Sequence, residues 1–220
     1  MSDLPLDPTL DEIRDHLAAI IPLHAGFDGW TPLALERAAE QAGVDADVAR
    51  LAVQGGATAM IDAWFAALDR AMEAALPPEK LGAMKIREKI AALVMARSEA
   101  AAPNREALRR ALAILAMPQN AMLAARLAWR AADHMWRLAG DTSADYNHYT
   151  KRLTLAGVYG STLMVFLNDD TPDHADTRAF LDRRVDGVMR FEKTKAQLLR
   201  RRDHMPSLSR FIGRLRYPAV

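Results

Sequence analysis

Hydrophobic residues recur along most of the chain at the three-to-four-residue spacing of amphipathic helices. Thr9-Leu10-Asp11-Glu12 is a capping box, and Thr31-Pro32 places an N-cap residue before a proline. Ten helices are predicted, and they end near Pro22, Gly43, Gly55, Pro77, Ala102, Ala116, Ala139, Asn168, Arg202 and Tyr217. Because the sequence shows neither strand-like alternation nor tandem repeats, we expect an all-α bundle of about ten helices.

Charge is distributed unevenly along this pattern. Residues 190–220 carry nine basic and two acidic side chains, so this segment is +7 while the whole chain is only +1. The rest of the chain is therefore −6, and such asymmetry is typical of contact with an anionic surface, either nucleic acid or lipid headgroups. We predict three parts: a subdomain of short helices at 1–76, a helical bundle at 77–203 and a basic C-terminal helix at 204–220.

Composition excludes several classes of site. The chain has no cysteine, so disulfides, thiolate metal sites and cysteine nucleophiles are absent. The longest unbroken apolar runs, such as residues 111–117, are far shorter than the ~20 residues that cross a bilayer. The first residues carry no basic or apolar targeting pattern, so a cytoplasmic location is expected.

The N-terminal helices resemble the helix-turn-helix of TetR-type regulators. A helix, the turn at Gly43, a short helix and a longer helix from Gly56 follow one another in the order of that motif. From Asp28 to Gly56, however, five acidic side chains face only two arginines, Arg37 and Arg50. A surface of this sign repels the phosphates of a duplex, so we expect a degenerate motif that binds no nucleic acid, with a TetR-type transcriptional regulator as the alternative.

The centre of the chain carries a more specific signature. Residues 136–152 read WRLAGDTSADYNHYTKR, and further matching segments lie at 27–30, 117–120, 155–159, 170–173 and 180–185. Together they resemble the COQ9 family of ubiquinone biosynthesis accessory proteins. The resemblance implies a TetR/FadR-like homodimer that binds an isoprenoid quinone intermediate and presents it to the di-iron demethoxyubiquinone hydroxylase, without catalysis of its own.

An apolar set of side chains is the candidate lipid site. Methionine adapts to irregular apolar ligands, tryptophan covers a large area, and abundant alanine leaves space between helices. The candidate lipid-binding residues are Leu112, Leu115, Met122, Leu127, Trp129, Trp136, Met164 and Phe166. The pattern alone favours an ordinary bundle core, and the family resemblance is what favours a lipid slot.

The segment after Gly140 is the candidate partner surface. Aromatic residues and arginine beside a helix start are typical anchors of a protein interface. The candidate partner-binding residues are Tyr146, His148, Tyr149 and Arg152. In the family a Trp-Tyr pair contributes to the surface that meets the hydroxylase; here the pair reads His148-Tyr149, which makes docking weaker or sensitive to pH. The alternative is a solvated helix start capped by Asp145.

The C-terminal tail is the candidate membrane contact. Leu208, Phe211, Ile212 and Leu215 form one stripe of a helix, and Arg210 and Arg214 flank it. Such a basic amphipathic helix predicts reversible docking on anionic lipid at the inner face of a bacterial membrane. The alternative is that the stripe packs on the protein body or on a dimer mate.

A catalytic alternative rests on residues 169–173, which read DDTPD. The spacing D-D-x-x-D holds Mg²⁺ in prenyl-diphosphate enzymes, so a Mg²⁺-dependent isoprenoid enzyme is a third hypothesis. The motif occurs once and stands at a helix start, where aspartate is a natural cap. The six histidines lack metal-ligand spacing. We therefore predict no catalytic residue, no metal site and no cofactor.

Overall fold

The computed structural model of the protein describes residues 4–142 and 146–203, which form ten α-helices and three 3₁₀ turns without a strand. The α-helices are α1 Leu10–Asp28, α2 Pro32–Ala42, α3 Ala46–Ala52, α4 Gly56–Ala75, α5 Pro78–Gly82, α6 Ile86–Ala101, α7 Arg105–Leu115, α8 Ala121–Leu138, α9 Tyr146–Phe166 and α10 Ala175–Asp203. The 3₁₀ turns are Ala102–Asn104, Pro118–Asn120 and Pro172–His174. The all-α prediction is confirmed.

The first helix is longer than its sequence suggested. The predicted capping box is present, with the Thr9 and Glu12 side chains bonded to each other's backbone N–H groups. The predicted end at Pro22 is wrong, because α1 continues through this residue to Asp28. Proline removes one helical hydrogen bond, but α1 packs on α2, α3, α4 and α7, and that burial outweighs the local cost of ~3 kcal/mol.

The predicted helix-turn-helix geometry is present. Thr31 caps α2, and Gly43 ends it in the left-handed region at φ 67°. Asp45 caps α3, and both Gly55, which precedes α4, and Gly56, its first residue, have positive φ values. Both glycines adopt a conformation that other residues rarely take, so the turn between α3 and α4 depends on them.

The single helix predicted from Glu79 to Ala102 is in fact two. Helix α5 ends at Gly82, and Lys85 is extended at ψ 157°. The Glu88 side chain accepts a hydrogen bond from the Lys85 backbone N–H at 2.9 Å and so caps a new helix, α6. Sequence periodicity continued across this break, but the local capping signal determined the structure.

A polar cluster lies inside the apolar core, where Arg97 is only 1% exposed. Its Nε donates to Asp69 Oδ1 at 2.6 Å, its second terminal nitrogen donates to the Phe65 carbonyl at 3.1 Å, and it also bonds the Tyr159 hydroxyl. Burial raises the pKa of Tyr159, so its phenol stays neutral, and Arg97 beside it opposes that shift. These contacts join α4, α6 and α9.

The chain divides into two compact units between Leu181 and Asp182, and α10 runs from the first unit into the second. The boundaries expected at residues 76 and 203 stay a prediction.

No single helix of residues 4–142 and 146–203 is long and apolar enough to cross a bilayer. Two bent pairs of helices, α3 with α4 and residues 86–115 with 118–138, meet the requirement of length and apolar composition only when each pair is taken together.

Candidate functional site

The turn that follows α8 is built from the signature segment. Gly140 has φ 92°, its N–H donates to the Arg137 carbonyl at 3.0 Å, and the Asp141 N–H donates to the Trp136 carbonyl at 2.9 Å. This pair of bonds is the Schellman ending of a helix, which favours glycine at the left-handed position. The turn brings the Asp141 side chain to the first turns of α9.

Beneath the start of α9 lies a buried ion cluster. Arg152 is 2% exposed, and its Nε donates to Asp133 Oδ1 at 2.5 Å. One of its terminal nitrogens donates to Asp141 Oδ2 and to the His148 carbonyl, both at 3.1 Å. A buried guanidinium needs carboxylate partners of this kind, and together they hold the end of α8 against the start of α9.

Two further contacts fasten the same turn. The Trp136 indole N–H donates to the Lys151 carbonyl at 3.0 Å, and the Lys151 ammonium lies 5.4 Å from the centroid of the Trp136 ring. The same ammonium donates to Asp141 Oδ1 at 2.6 Å. Thus the tryptophan, glycine, aspartate, lysine and arginine of the signature form one connected support for α9.

Above this support is an aromatic cluster of Trp129, His148 and Tyr149. The ring centroids of Trp129 lie 6.3 Å from His148 and 6.0 Å from Tyr149, and those of His148 and Tyr149 lie 5.2 Å apart. Tyr149 is 62% exposed, whereas the other two rings are half-buried. An exposed aromatic group on a rigid base has the chemistry of a protein-binding anchor.

The predicted partner-binding residues are distributed between this cluster and its support. His148 and Tyr149 lie in the aromatic cluster, whereas the Arg152 side chain is buried in the ion cluster and does not reach the surface. Tyr146 begins α9, and its side chain lies outside the described atoms. From the sequence, Trp129 was assigned to the lipid site and Asp133 was not identified. The two residues are four positions apart on α8, a spacing that places both on the same face of a helix.

The predicted lipid-binding residues do not gather in one place. Three are buried in the core, namely Leu115, Leu127 and Phe166. Another three, Leu112, Trp129 and Trp136, are half-buried. The last two, Met122 and Met164, lie on the surface. Met122 is 84% exposed and Met164 is 58% exposed, because both face away from the core sides of α8 and α9.

Helix α9 presents an apolar strip to the outside. Leu153, Gly157, Gly160 and Met164 follow one another at helical spacing, and all four are exposed. A Cβ atom placed on either glycine would meet nothing within 4 Å. Between residues 153 and 166 the helix carries no charge, so this α9 strip is an open apolar groove.

Two of the three aspartates of the DDTPD segment, Asp169 and Asp170, have protein partners. Asp169 Oδ1 accepts from the Thr171 N–H at 2.9 Å, and its Oδ2 accepts from the Thr177 N–H at 2.8 Å. Burial opposes its charge, but these bonds and those from both threonine hydroxyls hold the pKa of Asp169 well below its usual range. Asp170 pairs with Arg105 at 2.6 Å. This is the arrangement of a capping group at a helix start.

The two arginines of the helix-turn-helix are paired within the protein. Arg37 contacts Asp28 at 2.6 Å, and Arg50 contacts both Glu36 and Asp47. Their charges are therefore compensated, as the excess of acidic residues predicted. Among the residues that the structure describes, no group of three or more histidine or acidic side chains is placed to hold a metal ion. The membrane-binding candidates at 208–215 lie outside the described residues.

Comparison with known proteins places this site within a family segment. The COQ9 family model matches residues 121–192, which include α8, α9 and the turn between them. The chain is 32% identical over 184 residues to the mitochondrial ubiquinone biosynthesis protein COQ9 of Homo sapiens, covering 81% of this chain and 57% of that protein. It is 44% identical over 89 residues to the COQ9 protein of Rattus norvegicus, covering 40% of this chain and 28% of that protein.

A fly relative and a solved structure extend the comparison. The chain is 28% identical to the mitochondrial COQ9 of Drosophila melanogaster over 86% of its own length and 59% of that protein. It therefore spans at most about three fifths of these three curated relatives. The crystal structure of a TetR transcriptional regulator from Nitrosomonas europaea superimposes with a TM-score of 0.64 at 22% identity, covering 80% of this chain and 97% of that one. The TetR-like fold is confirmed.

Proposed function

We propose that the chain, which is similar to the COQ9 proteins, is a non-catalytic accessory protein of ubiquinone biosynthesis, which binds an isoprenoid quinone intermediate and presents it to the di-iron demethoxyubiquinone hydroxylase. The observation that carries this proposal is the exposed aromatic cluster on its buried ionic support. It lies inside the segment that the family model matches. The buried arginine with its two carboxylate partners holds α8 and α9 together beneath this surface.

In this proposal the aromatic cluster is the docking point for the hydroxylase. Tyr149 supplies exposed apolar area with little loss of side-chain entropy, and Trp129 supports its ring from α8. His148 adds a second, half-buried ring that contacts both Trp129 and Tyr149. Arg152 acts as a positioning residue, because it orients the His148 carbonyl from below.

A binding assay with purified hydroxylase tests the docking point. We expect Tyr149→Ala and Trp129→Ala to weaken binding at least about tenfold, as anchor residues do. Phe27→Ala is the control, because Phe27 is an exposed aromatic residue outside residues 121–192 and away from the aromatic cluster. Equal affinities for all three variants would contradict the assignment of this surface.

We place the lipid tail between the core helices rather than on the surface. Leu115, Leu127 and Phe166 are each buried, and α7 and α8 also carry buried alanines, so entry of a lipid requires these helices to separate. A ligand stabilises whichever arrangement it binds more tightly, so such an opening is a shift of population. Native mass spectrometry of the purified protein after organic extraction tests this: co-purified isoprenoid supports it, and lipid-free protein contradicts it.

The chain acts as a homodimer in this proposal, with the α9 strip as the contact. An open groove lined by glycine lets two helices approach closely, and the flanking Leu153 and Met164 supply apolar area that is exposed in the single chain. The basic C-terminal tail, residues 204–220, then docks reversibly on anionic lipid at the inner face of a bacterial membrane. Loss of binding to anionic vesicles on deletion of residues 207–220 tests the tail.

The transcriptional alternative lacks physical support on the described surface. Both arginines of the helix-turn-helix are paired with carboxylates, and the surrounding charge is negative. Salt-dependent binding to a specific duplex would favour that alternative. The third hypothesis, a Mg²⁺-dependent isoprenoid enzyme, requires activity that disappears when Asp169 or Asp170 is changed.

A further inference from the structure

A polar cleft lies apart from the aromatic cluster. It has a volume of about 740 Å³ and is bounded by α1, the turn between α3 and α4, the part of α4 up to Arg70, and α8. Neither the aromatic cluster nor any predicted lipid-binding residue lines it. Its size is that of clefts which hold small-molecule ligands, and its walls carry four arginines, three aspartates, Gln54 and Thr58.

Two of the arginines form simple neutral pairs at the rim. Arg14 contacts Asp11 at 3.0 Å, and Arg70 contacts Asp15 at 3.2 Å. All four side chains are about half exposed or more, so water competes with each ion pair for the charged groups. They contribute no net charge to the cleft.

The other two arginines share a single carboxylate. Arg126 contacts Asp62 Oδ2 at 3.1 Å, and Arg130 contacts Asp62 Oδ1 at 2.5 Å. Each carboxylate oxygen therefore already has one guanidinium partner. One aspartate compensates only one of these two positive charges.

Asp69 does not neutralise the remaining positive charge. Arg130 Nε lies 3.4 Å from Asp69 Oδ2, but Asp69 accepts the much closer bond from buried Arg97. The connected network thus contains Arg97, Arg126 and Arg130 against Asp62 and Asp69, one positive charge more than its carboxylates neutralise. The excess is accessible to a ligand, because Arg126 is 68% and Arg130 38% exposed, and the less exposed Arg130 is the less screened by water.

We propose that this cleft binds a small molecule through a multivalent oxyanion group, a phosphate or a carboxylate, held by Arg126 and Arg130. A guanidinium binds either oxyanion by paired, charge-assisted hydrogen bonds, which are stronger than neutral ones. Gly55, which precedes α4 without a side-chain cap, also lines the cleft, so the positive end of this long helix adds to the same attraction. The site is independent of the ubiquinone role.

Isothermal titration with pyrophosphate and, separately, with citrate tests the site. We expect a dissociation constant below about 1 mM at low ionic strength for at least one of the two anions. Binding of pyrophosphate alone identifies a phosphate-bearing ligand, and binding of citrate alone identifies a carboxylate-bearing one. Affinity weaker than this for both anions overturns the proposal.

Variants separate a built site from general attraction to a basic protein. Arg126→Gln and Arg130→Gln should each weaken binding about tenfold or more. Arg37→Gln is the matched control, because it removes the same charge from a half-exposed arginine outside the cleft. Arg126 is 68% exposed, so its substitution leaves the fold intact, which circular dichroism verifies. Equal weakening by Arg126→Gln and Arg37→Gln overturns the proposal.

Discussion

Arg152 and Asp141 form a buried ion pair, with the guanidinium nitrogen 3.1 Å from Oδ2, that joins the turn after α8 to the beginning of α9. Asp133 is the second carboxylate on the same guanidinium. The pair explains why an aspartate follows the glycine of the signature and why an arginine occurs eleven residues later. It also assigns Arg152 to support of the aromatic cluster rather than to direct contact with a partner.

Removal of this guanidinium is expected to destabilise the protein strongly. Arg152→Met leaves Asp133 and Asp141 buried without their shared partner, so the free energy of unfolding should fall by about 3 kcal/mol or more. Arg137→Met is the control, because Arg137 bonds the same Asp133 from an exposed position, and it should cost less than about 1 kcal/mol. Urea denaturation measures both. Similar losses of unfolding free energy for the two variants would contradict the prediction that the buried Arg152 contributes more to stability than the exposed Arg137.

The Tyr159 hydroxyl in the core should also contribute to stability. Tyr159→Phe removes one hydrogen-bond partner of buried Arg97 and is expected to lower the free energy of unfolding by about 1 to 3 kcal/mol. Tyr149→Phe is the matched substitution at an exposed position and should leave stability nearly unchanged. Thermal unfolding compares the two. If Tyr149→Phe lowers the thermal stability and Tyr159→Phe does not, the hydrogen bond between Tyr159 and Arg97 has no stabilising role and the account of the core is contradicted.

The capping carboxylate gives a pH dependence with a defined sign. Because the pKa of Asp169 is lowered in the folded state, its ionised form stabilises the protein above the unfolded pKa of about 3.9, and this contribution is lost as the pH falls further. Asp169→Asn should therefore cost about 3 kcal/mol at pH 7, and this difference should shrink below about pH 4. Urea denaturation across pH measures it. A difference that stays constant down to pH 2 would exclude ionisation as the cause.

The α9 strip predicts a variant that separates assembly from folding. Gly160→Leu places a bulky side chain in the groove, and because a Cβ there meets nothing within 4 Å, the single chain accommodates it. We expect a shift from dimer to monomer in light scattering with helical content retained. Gly82→Leu, at another glycine with an open Cβ position, serves as control and should leave the dimer intact. Dimers that persist in Gly160→Leu would place the contact elsewhere.

Local signals in the sequence predicted helix ends well where a cap was present, as at Thr9, Thr31 and Gly43. They failed where two effects competed. Pro22 was taken as an end, although packing around α1 keeps the helix intact, and the break before α6 was missed because apolar periodicity continued across it.

The candidate site was predicted only in part, for a different reason. His148 and Tyr149 were identified because they are aromatic and adjacent in sequence. Trp129 comes to them from another helix, and that relationship depends on the packing of α8 against α9. The burial of Arg152 depends on the same packing, since a sequence shows charge but not which charges have partners.

The most direct test of the central claim is hydroxylase turnover on vesicles that contain demethoxyubiquinone, measured with and without this protein. The account predicts that the protein raises turnover, that Tyr149→Ala removes most of the increase, and that Phe27→Ala retains it. Equal turnover with the protein, with Tyr149→Ala and with no added protein would contradict the account.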